Sequence, residues 1–76
     1  PYSLHMSAFK AREVIKILKK LGFETKRQTG SHVIMYHPKT KKTIPVPNHV
    51  KDIKYGLLKS IVKQADSTER EFIKLK

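Results

Sequence analysis

A histidine stands directly behind a glycine and a serine in the segment TGSHVIMYHP, residues 29–38, at the start of a run of strand-forming residues. Imidazole titrates close to neutral pH, so histidine is the side chain that most readily accepts or donates a proton there. His32 is therefore the first candidate for general acid–base chemistry. The alternative is that His32 forms a local hydrogen bond at a strand end, and the residue by itself does not decide between the two.

The residues around this histidine are of types that contact phosphate groups. Gly30 allows a sharp turn and a close approach of phosphate to the backbone, and the Ser31 hydroxyl can donate a hydrogen bond to it. Lys26 and Arg27 can neutralise the phosphate charge. Tyr36 can stack on a base. The Gly-Ser pair and Tyr36 each have a structural alternative: an ordinary hairpin turn for the pair, and a cover for the sheet in the case of Tyr36.

Two further histidines accompany this segment. His37 lies five residues beyond His32, about 16 to 17 Å along an extended chain, so the two side chains cannot share one phosphate. We therefore expect His37 to be structural. His49 falls in a loop whose distance from His32 is not set by the sequence. It is a candidate second proton-transfer group, although a structural role is favoured.

The composition indicates an anionic partner. The 76 residues include 17 Lys and Arg against 6 Asp and Glu, a formal net charge of +11, which exceeds what solubility requires of a small domain. The cations are spread along the chain rather than gathered on one long amphipathic helix, which favours nucleic acid over a membrane surface. An acidic protein partner would satisfy the same charge, and both kinds of partner are compatible.

Several other chemistries lack the residues they need. There is no cysteine and no apolar run long enough to cross a membrane, so we expect a soluble, cytoplasmic protein. Scattered carboxylates and histidines without zinc-motif spacing argue against metal-dependent cleavage. Three isolated glycines argue against a nucleotide-binding loop. No metal or cofactor is expected. What remains is metal-free cleavage of RNA, in which the 2′-hydroxyl is the nucleophile and His32 deprotonates it or protonates the 5′-oxygen leaving group.

Periodicity and turn signals predict the elements that would position these residues. Ser7 and Asp52 are candidate helix N-caps, Gly22 is a helix-ending residue, and Pro45 places its strand at a sheet edge because it has no N–H. Gly56 indicates that the second helix begins late or approaches another backbone closely. The predicted elements are helix 1 (about 8–21), strand 1 (23–29), strand 2 (31–37), strand 3 (43–46, with Ile44 and Val46 on one face), helix 2 (about 53–65) and a short helix 3 with capping-box spacing at Thr68 and Glu71. The apolar stripe of helix 2 consists of Ile53, Leu57, Ile61 and Ala65, widened by Leu58 and Val62.

Periodicity leaves the orientation of strand 2 open. Val33 and Met35 share one face, while Ile34 and Tyr36 share the other with His32, so both faces carry apolar residues.

The motifs GSHVIMYHP, TIPVPNH and GLLKSIVKQA, followed by a Thr- and Glu-bearing helix start, resemble the HicA toxin family, also called the YcfA-like family. The resemblance covers about residues 7–72 and includes Gly22-Phe23. No single motif is specific, and their order and spacing together carry the resemblance. Two positions depart from the family pattern: Asp66-Ser67 stands where a glycine is often found, and Tyr36 replaces a commonly basic residue.

The resemblance implies an α+β fold of order α-β-β-β-α, similar to a double-stranded RNA-binding domain, with a three-stranded antiparallel sheet and the helices on one face. It places His32 and Tyr36 on the open face, and Val33 and Met35 against the helices. It also implies an mRNA endoribonuclease of a type II toxin–antitoxin system that inhibits translation, with His32 as the catalytic residue and a HicB-type protein as the antitoxin.

The leading hypothesis is therefore a toxin-type RNase that binds mRNA on a basic sheet face and cleaves it through His32 without metal. One alternative is a non-catalytic RNA-binding module, because the double-stranded RNA-binding fold recognises RNA by shape without cleaving it. Another is a structural partner for an acidic protein. A chain of this length makes one small domain. We interpret residues 1–5 as a remnant of the expression vector and residues 6–76 as that domain.

Overall fold

The computed structural model describes residues 9–48 and 52–76. Within these ranges the three strands form one antiparallel sheet in the order β1-β2-β3. The predicted α+β class and the order of elements are confirmed, and Pro45 lies on an edge strand as expected. The elements are α1 (Ala11–Lys20), β1 (Glu24–Gln28), β2 (His32–Tyr36), β3 (Thr43–Pro47), α2 (Tyr55–Gln64) and α3 (Glu69–Leu75).

The central strand β2 separates a buried face from an open one. Val33 and Met35 are buried, whereas His32, Ile34 and Tyr36 are only half-buried. The orientation that periodicity left open is thus the one implied by the family resemblance. The buried residues of β2 join Ile44 and Val46 of β3 and the buried sides of all three helices in one apolar core. We call the other side, which carries Arg27, His32, Ile34, Tyr36 and Pro45, the outer sheet face.

Helix α1 begins later than predicted and ends where predicted. The Glu13 carboxylate accepts a hydrogen bond from the Lys10 backbone N–H at 2.8 Å, which makes Lys10 the N-cap. Ser7, the predicted cap, lies outside the described residues. At the other end Gly22 has a φ of +102°, and the Phe23 N–H donates to the Leu18 carbonyl at 2.9 Å. This is the left-handed helix ending that favours glycine.

Strand β1 contains a β-bulge. Thr25 pairs with Met35, but the next paired residue of β1 is Arg27, opposite Ile34, so Lys26 is an extra residue in the ladder. A bulge increases the local twist and redirects the side chains around it.

Helix α2 also begins later than predicted. Its N-cap is Lys54 rather than Asp52, and Gly56 is its second residue, which agrees with the late start that this glycine indicated. Leu57 was assigned to the apolar stripe, but it is 40% exposed. The helix buries Leu58, Ile61 and Val62, which belong to the predicted stripe and lie at spacings of three and four residues.

The turn into α3 has two defined features. Thr68 caps the helix, because its hydroxyl accepts a hydrogen bond from the Glu71 N–H at 3.1 Å. The other half of the expected capping box differs, since the Glu71 carboxylate accepts from the Ser67 hydroxyl at 2.6 Å. Asp66 has a φ of +56°, a left-handed conformation. Glycine adopts this conformation without strain, and a glycine is what the family resemblance implies at Asp66-Ser67.

Candidate nucleic-acid interface

His32 opens β2 immediately after a tight turn, and its ring contacts the residue before it. The Ser31 hydroxyl oxygen lies 3.0 Å from His32 Nδ1. The turn is fixed on both sides, because the Thr29 N–H donates to the His32 carbonyl and the Asn48 N–H donates to the Ser31 carbonyl, each at 2.9 Å. The backbone that carries the pair is therefore held by hydrogen bonds to two neighbouring segments.

The Ser31–His32 contact has two chemical forms, which depend on the imidazole tautomer. If Nδ1 carries the hydrogen, it donates to the Ser31 oxygen, Nε2 is the basic nitrogen, and the Ser31 hydroxyl hydrogen can point at a phosphate oxygen. If the Ser31 hydroxyl donates to Nδ1, Nε2 carries the hydrogen of a neutral ring and is not a base. The acid form is the imidazolium, in which Nδ1 again donates to the Ser31 oxygen and Nε2 can release its proton. The contact with Ser31 therefore orients the ring in the base form and in the acid form, one for each of the two proton transfers that RNA cleavage needs.

Two predicted phosphate-binding residues, Lys26 and Arg27, reach the outer sheet face. Arg27 does so because of the bulge in β1, which places it opposite Ile34 instead of the buried Val33. The Lys26 ammonium lies 5.1 Å from the centre of the Tyr36 ring, a cation–π contact. Arg27 pairs across the sheet with Ile34, the residue between Tyr36 and His32 on that face. The structure therefore groups Lys26 with Tyr36 at one end of β2 and Ser31 with His32 at the other, and places Arg27 between them.

His37 occupies a different environment from His32. Its ring packs edge-on against Phe23 with 5.0 Å between ring centres. Its Nδ1 accepts hydrogen bonds from the backbone N–H groups of Lys39 and Thr40 at 3.2 and 3.3 Å. These contacts tie the end of β2 to the following turn and to the end of α1. They favour the structural role predicted for His37.

Gly30 has no structural need to be glycine. A Cβ built on it would meet no other atom within 4 Å, and its φ is not in the left-handed region. The sharp turn expected of Gly30 is therefore one that other residues can adopt. Its small size can still allow a phosphate to approach the backbone, which is the remaining reason for its inclusion in the site.

His49, the other candidate proton-transfer residue, lies outside the described residues. Within residues 9–48 and 52–76, no group of three or more His, Cys, Asp or Glu side chains is placed to hold a metal ion. In the same ranges, no helix has the length and apolar character needed to cross a membrane.

Comparison with protein families matches residues 11–66 to the family described as the HicA toxin of bacterial toxin–antitoxin systems. The chain belongs to the HicA toxin family. The match includes all three strands, the turn with His32 and helix α2. Comparison with curated proteins gives no match. Family membership supports a toxin role and an antitoxin partner for this HicA-family protein.

Sequence reasoning missed two features that shape the site. The bulge at Lys26 has no local signal, because no glycine or proline marks it and it depends on pairing with β2. The backbone bond from Asn48 to Ser31 was also missed. Its signal was indirect: strand 3 was predicted to run antiparallel to strand 2, which brings the end of strand 3 beside the start of strand 2.

Proposed function

We propose that this HicA-family toxin is an endoribonuclease that cleaves mRNA and thereby inhibits translation, with His32 transferring protons and without a metal or other cofactor. The proposal places the protein in the cytoplasm, where mRNA is translated, and gives it a HicB-type antitoxin. The observation that carries the chemistry is the contact of 3.0 Å between Ser31 and His32 at the edge of the outer sheet face. Family membership supports the toxin role.

The proposed reaction uses the nucleophile that RNA itself supplies. The 2′-oxygen forms a bond to the neighbouring phosphorus, and the bond from phosphorus to the 5′-oxygen breaks. One proton leaves the 2′-hydroxyl and one is delivered to the 5′-oxygen, so the products are a 2′,3′-cyclic phosphate and a 5′-hydroxyl. His32 performs one of these two transfers, which is work that a well-oriented imidazole does at neutral pH.

The outer sheet face supports binding of the RNA. His32 and Tyr36 lie four residues apart on one strand, about 13 Å. RNA whose phosphate lies at His32 can therefore extend along the outer sheet face to Tyr36, on whose ring a base can stack. Arg27 and Lys26 lie along this path and neutralise phosphate charge. Ser31 and Gly30 border the phosphate at the His32 end.

A HicB-type antitoxin would neutralise the toxin by covering this surface. The net charge of +11 favours association with an acidic partner and speeds their encounter. A partner that covers His32 also excludes RNA. A structure of the complex in which His32 stays open to RNA would contradict masking of the active site.

The second candidate function is RNA binding without cleavage. The order α-β-β-β-α is that of the double-stranded RNA-binding domain, which reads RNA by shape and phosphate contacts. Purified protein that binds RNA and yields no fragments would favour this function.

The decisive experiment incubates purified protein with RNA in the presence of EDTA and compares the native chain with His32→Ala. We expect the native protein to give fragments with cyclic phosphate ends, and His32→Ala to be slower by about 10²- to 10⁴-fold. His37→Ala, assayed below its melting temperature, is the matched control because it removes a histidine that lies outside the site. Full activity of a folded His32→Ala protein would refute the proposed role of His32.

Salt dependence separates RNA binding from a purely structural role beside an acidic protein. For a single strand, the logarithm of the binding constant should fall with the logarithm of salt concentration with a slope of about −0.7 for each phosphate neutralised. Arg27→Gln should reduce the magnitude of that slope by about one such unit. If no RNA binding is detected even at low salt, the charge would serve only the contact with an acidic protein.

A further inference from the structure

Helix α1 carries a second basic surface. Its exposed side chains include Arg12, Lys16, Lys19 and Lys20, on the side of the helix opposite its buried residues. Since the buried side faces the core between the helices and the sheet, this surface points away from the outer sheet face. It is therefore separate from the site that contains His32.

Among the described residues, no salt bridge neutralises this charge. Within residues 9–48 and 52–76 the recorded salt bridge joins Lys42 to Asp66, and Arg12, Lys16 and Lys19 have no acidic partner. Glu13, the acidic residue of α1, is held by the Lys10 backbone N–H. Like charges four residues apart on a helix repel each other, so this arrangement opposes helix stability. A ligand that supplies negative charge would remove the repulsion.

Two grooves flank the charged stripe and share Arg12 and Lys16. One is a shallow groove that is wide open to solvent on the outside of α1, formed by Arg12, Ile15, Lys16, Lys19 and Lys20, and most of its surface is apolar. The half-buried Ile15 and the methylene stems of the basic residues supply that apolar surface. The other, of about 330 Å³, lies between α1 and the end of α3, beside Leu75. We call the first one the α1 groove.

The combination of an apolar floor and a cationic rim distinguishes between two kinds of anionic ligand. RNA would satisfy the rim with its phosphates, but its bases stack best on aromatic rings, whereas the floor here is the aliphatic side chain of Ile15. A peptide segment that carries both acidic and apolar side chains satisfies both, because its carboxylates can pair with the rim while its apolar side chains fill the floor. The observations therefore favour a protein segment over RNA at this surface.

We propose that the α1 groove binds an acidic, partly apolar segment of the antitoxin, at a surface separate from the outer sheet face. This rests on the antitoxin partner of the proposed function. It assigns that partner a second contact, which holds it on the toxin independently of the contact that covers His32. The segment would carry carboxylates opposite Lys16 and Lys19 and an apolar side chain against Ile15.

The test is a pair of charge reversals with the same net change. One variant carries Lys16→Glu and Lys19→Glu on α1. The control carries Lys59→Glu and Lys63→Glu on α2, where both lysines are also exposed and Lys63 likewise lies in the last helical turn. Calorimetry measures the Kd for the cognate antitoxin without RNA, RNA cleavage is measured without antitoxin, and circular dichroism checks folding.

We expect the α1 variant to raise the Kd for the antitoxin by about tenfold or more relative to the α2 control. The two variants should cleave RNA at rates within about twofold of each other. Equal antitoxin affinity of the two variants would overturn the proposal. So would a loss of RNA cleavage in a folded α1 variant with unchanged antitoxin affinity, because the surface would then serve RNA. Failure of the native protein to cleave RNA would refute only the proposed activity, since antitoxin binding is measured separately.

Discussion

The Ser31 hydroxyl oxygen lies 3.0 Å from His32 Nδ1, a contact between sequence neighbours at the turn that begins β2. Adjacent side chains on an extended strand point to opposite faces, so this contact depends on Ser31 lying in the turn rather than in the strand. The proposed catalytic ring is thus oriented by a residue that immediately precedes it.

Ser31→Ala tests this orientation. Removal of the hydroxyl takes away the group that holds Nδ1, so we expect kcat for RNA cleavage to fall by about tenfold or more, in line with the effect of removing a partner that orients a functional histidine. Ser31→Thr keeps a hydroxyl and should restore much of the rate. Both variants should leave the melting temperature nearly unchanged, because Ser31 is exposed and its backbone bond to Asn48 remains. Equal rates for the alanine and threonine variants would argue against an orienting role.

His37→Ala should show the opposite behaviour to His32→Ala. It removes the edge-on packing against Phe23 and the acceptor for two backbone N–H groups. Together these losses should lower the free energy of unfolding by about 1 to 2 kcal/mol. Urea denaturation measures this loss, and RNA cleavage below the melting temperature should be retained. His37→Asn keeps a side-chain acceptor for the turn and should lose less stability. A His37→Ala protein that is fully stable but inactive would show that His37 has a functional role in the site.

Two glycine substitutions provide a matched comparison. Gly22→Ala forces a non-glycine residue into a φ of +102° and places a Cβ 2.7 Å from His37 Nε2. We expect it to cost about 1 to 3 kcal/mol in the free energy of unfolding. Gly30→Ala has neither problem, because its φ is not in the left-handed region and nothing lies within 4 Å of the new methyl group. Its stability should change by less than about 0.5 kcal/mol.

The same pair of variants tests the role of Gly30 in RNA binding. If a phosphate approaches the backbone closely at this turn, Gly30→Ala weakens RNA binding without destabilising the fold, whereas Gly22→Ala destabilises the fold without a direct effect on binding. Titration of each variant with RNA at a temperature where both are folded measures the difference. Unchanged RNA affinity of Gly30→Ala would show that Gly30 does not contribute to RNA binding.

The sequence predicted the fold where a local rule decides the structure. Gly22 ends α1 because only a residue without Cβ adopts its conformation at no cost. Alternation identified Ile44 and Val46 as residues of one face, and both are buried. Alternation could not predict which face of β2 is buried, because Val33 and Ile34 are equally apolar. There the outcome depends on which side the helices cover, which is a long-range property of the fold.

The candidate site also combines features that the local sequence predicts with features that depend on long-range pairing. His32 and Ser31 are neighbours in the sequence, so their proximity was predictable. The place of Arg27 on the outer sheet face was not, because without the bulge in β1 Arg27 would lie opposite the buried Val33, and the bulge depends on how two strands pair. Leu57 was misplaced for a related reason: the first turn of α2 is set by contacts of the preceding loop, such as the bond from the Ile53 N–H to the Phe9 carbonyl. Periodicity carries no information on such a bond.

A last prediction concerns pH and the hydrogen bond of 3.0 Å that the Tyr55 hydroxyl donates to the Glu69 carboxylate. This bond, with smaller contributions from burial and from the charge of Glu69, raises the pKa of Tyr55 above its ordinary value of 10.0. The protonated tyrosine is therefore favoured in the folded state. The bond stabilises the fold fully below the unfolded pKa of Tyr55, and this contribution is lost as pH rises through the higher folded pKa.

Glu69→Ala should return the pKa of Tyr55 toward its ordinary value, and Glu69→Gln, which keeps a neutral acceptor, should lower it by a smaller amount. The tyrosine ¹³Cζ chemical shift follows Tyr55 individually, and Tyr36, which lies near Lys26 instead, is the internal control. Tyr55→Phe should be less stable than the native protein in urea at neutral pH, and the difference should disappear at a pH above the folded pKa. A difference that stays constant across this pH range would show that the two helices gain no stability from this hydrogen bond.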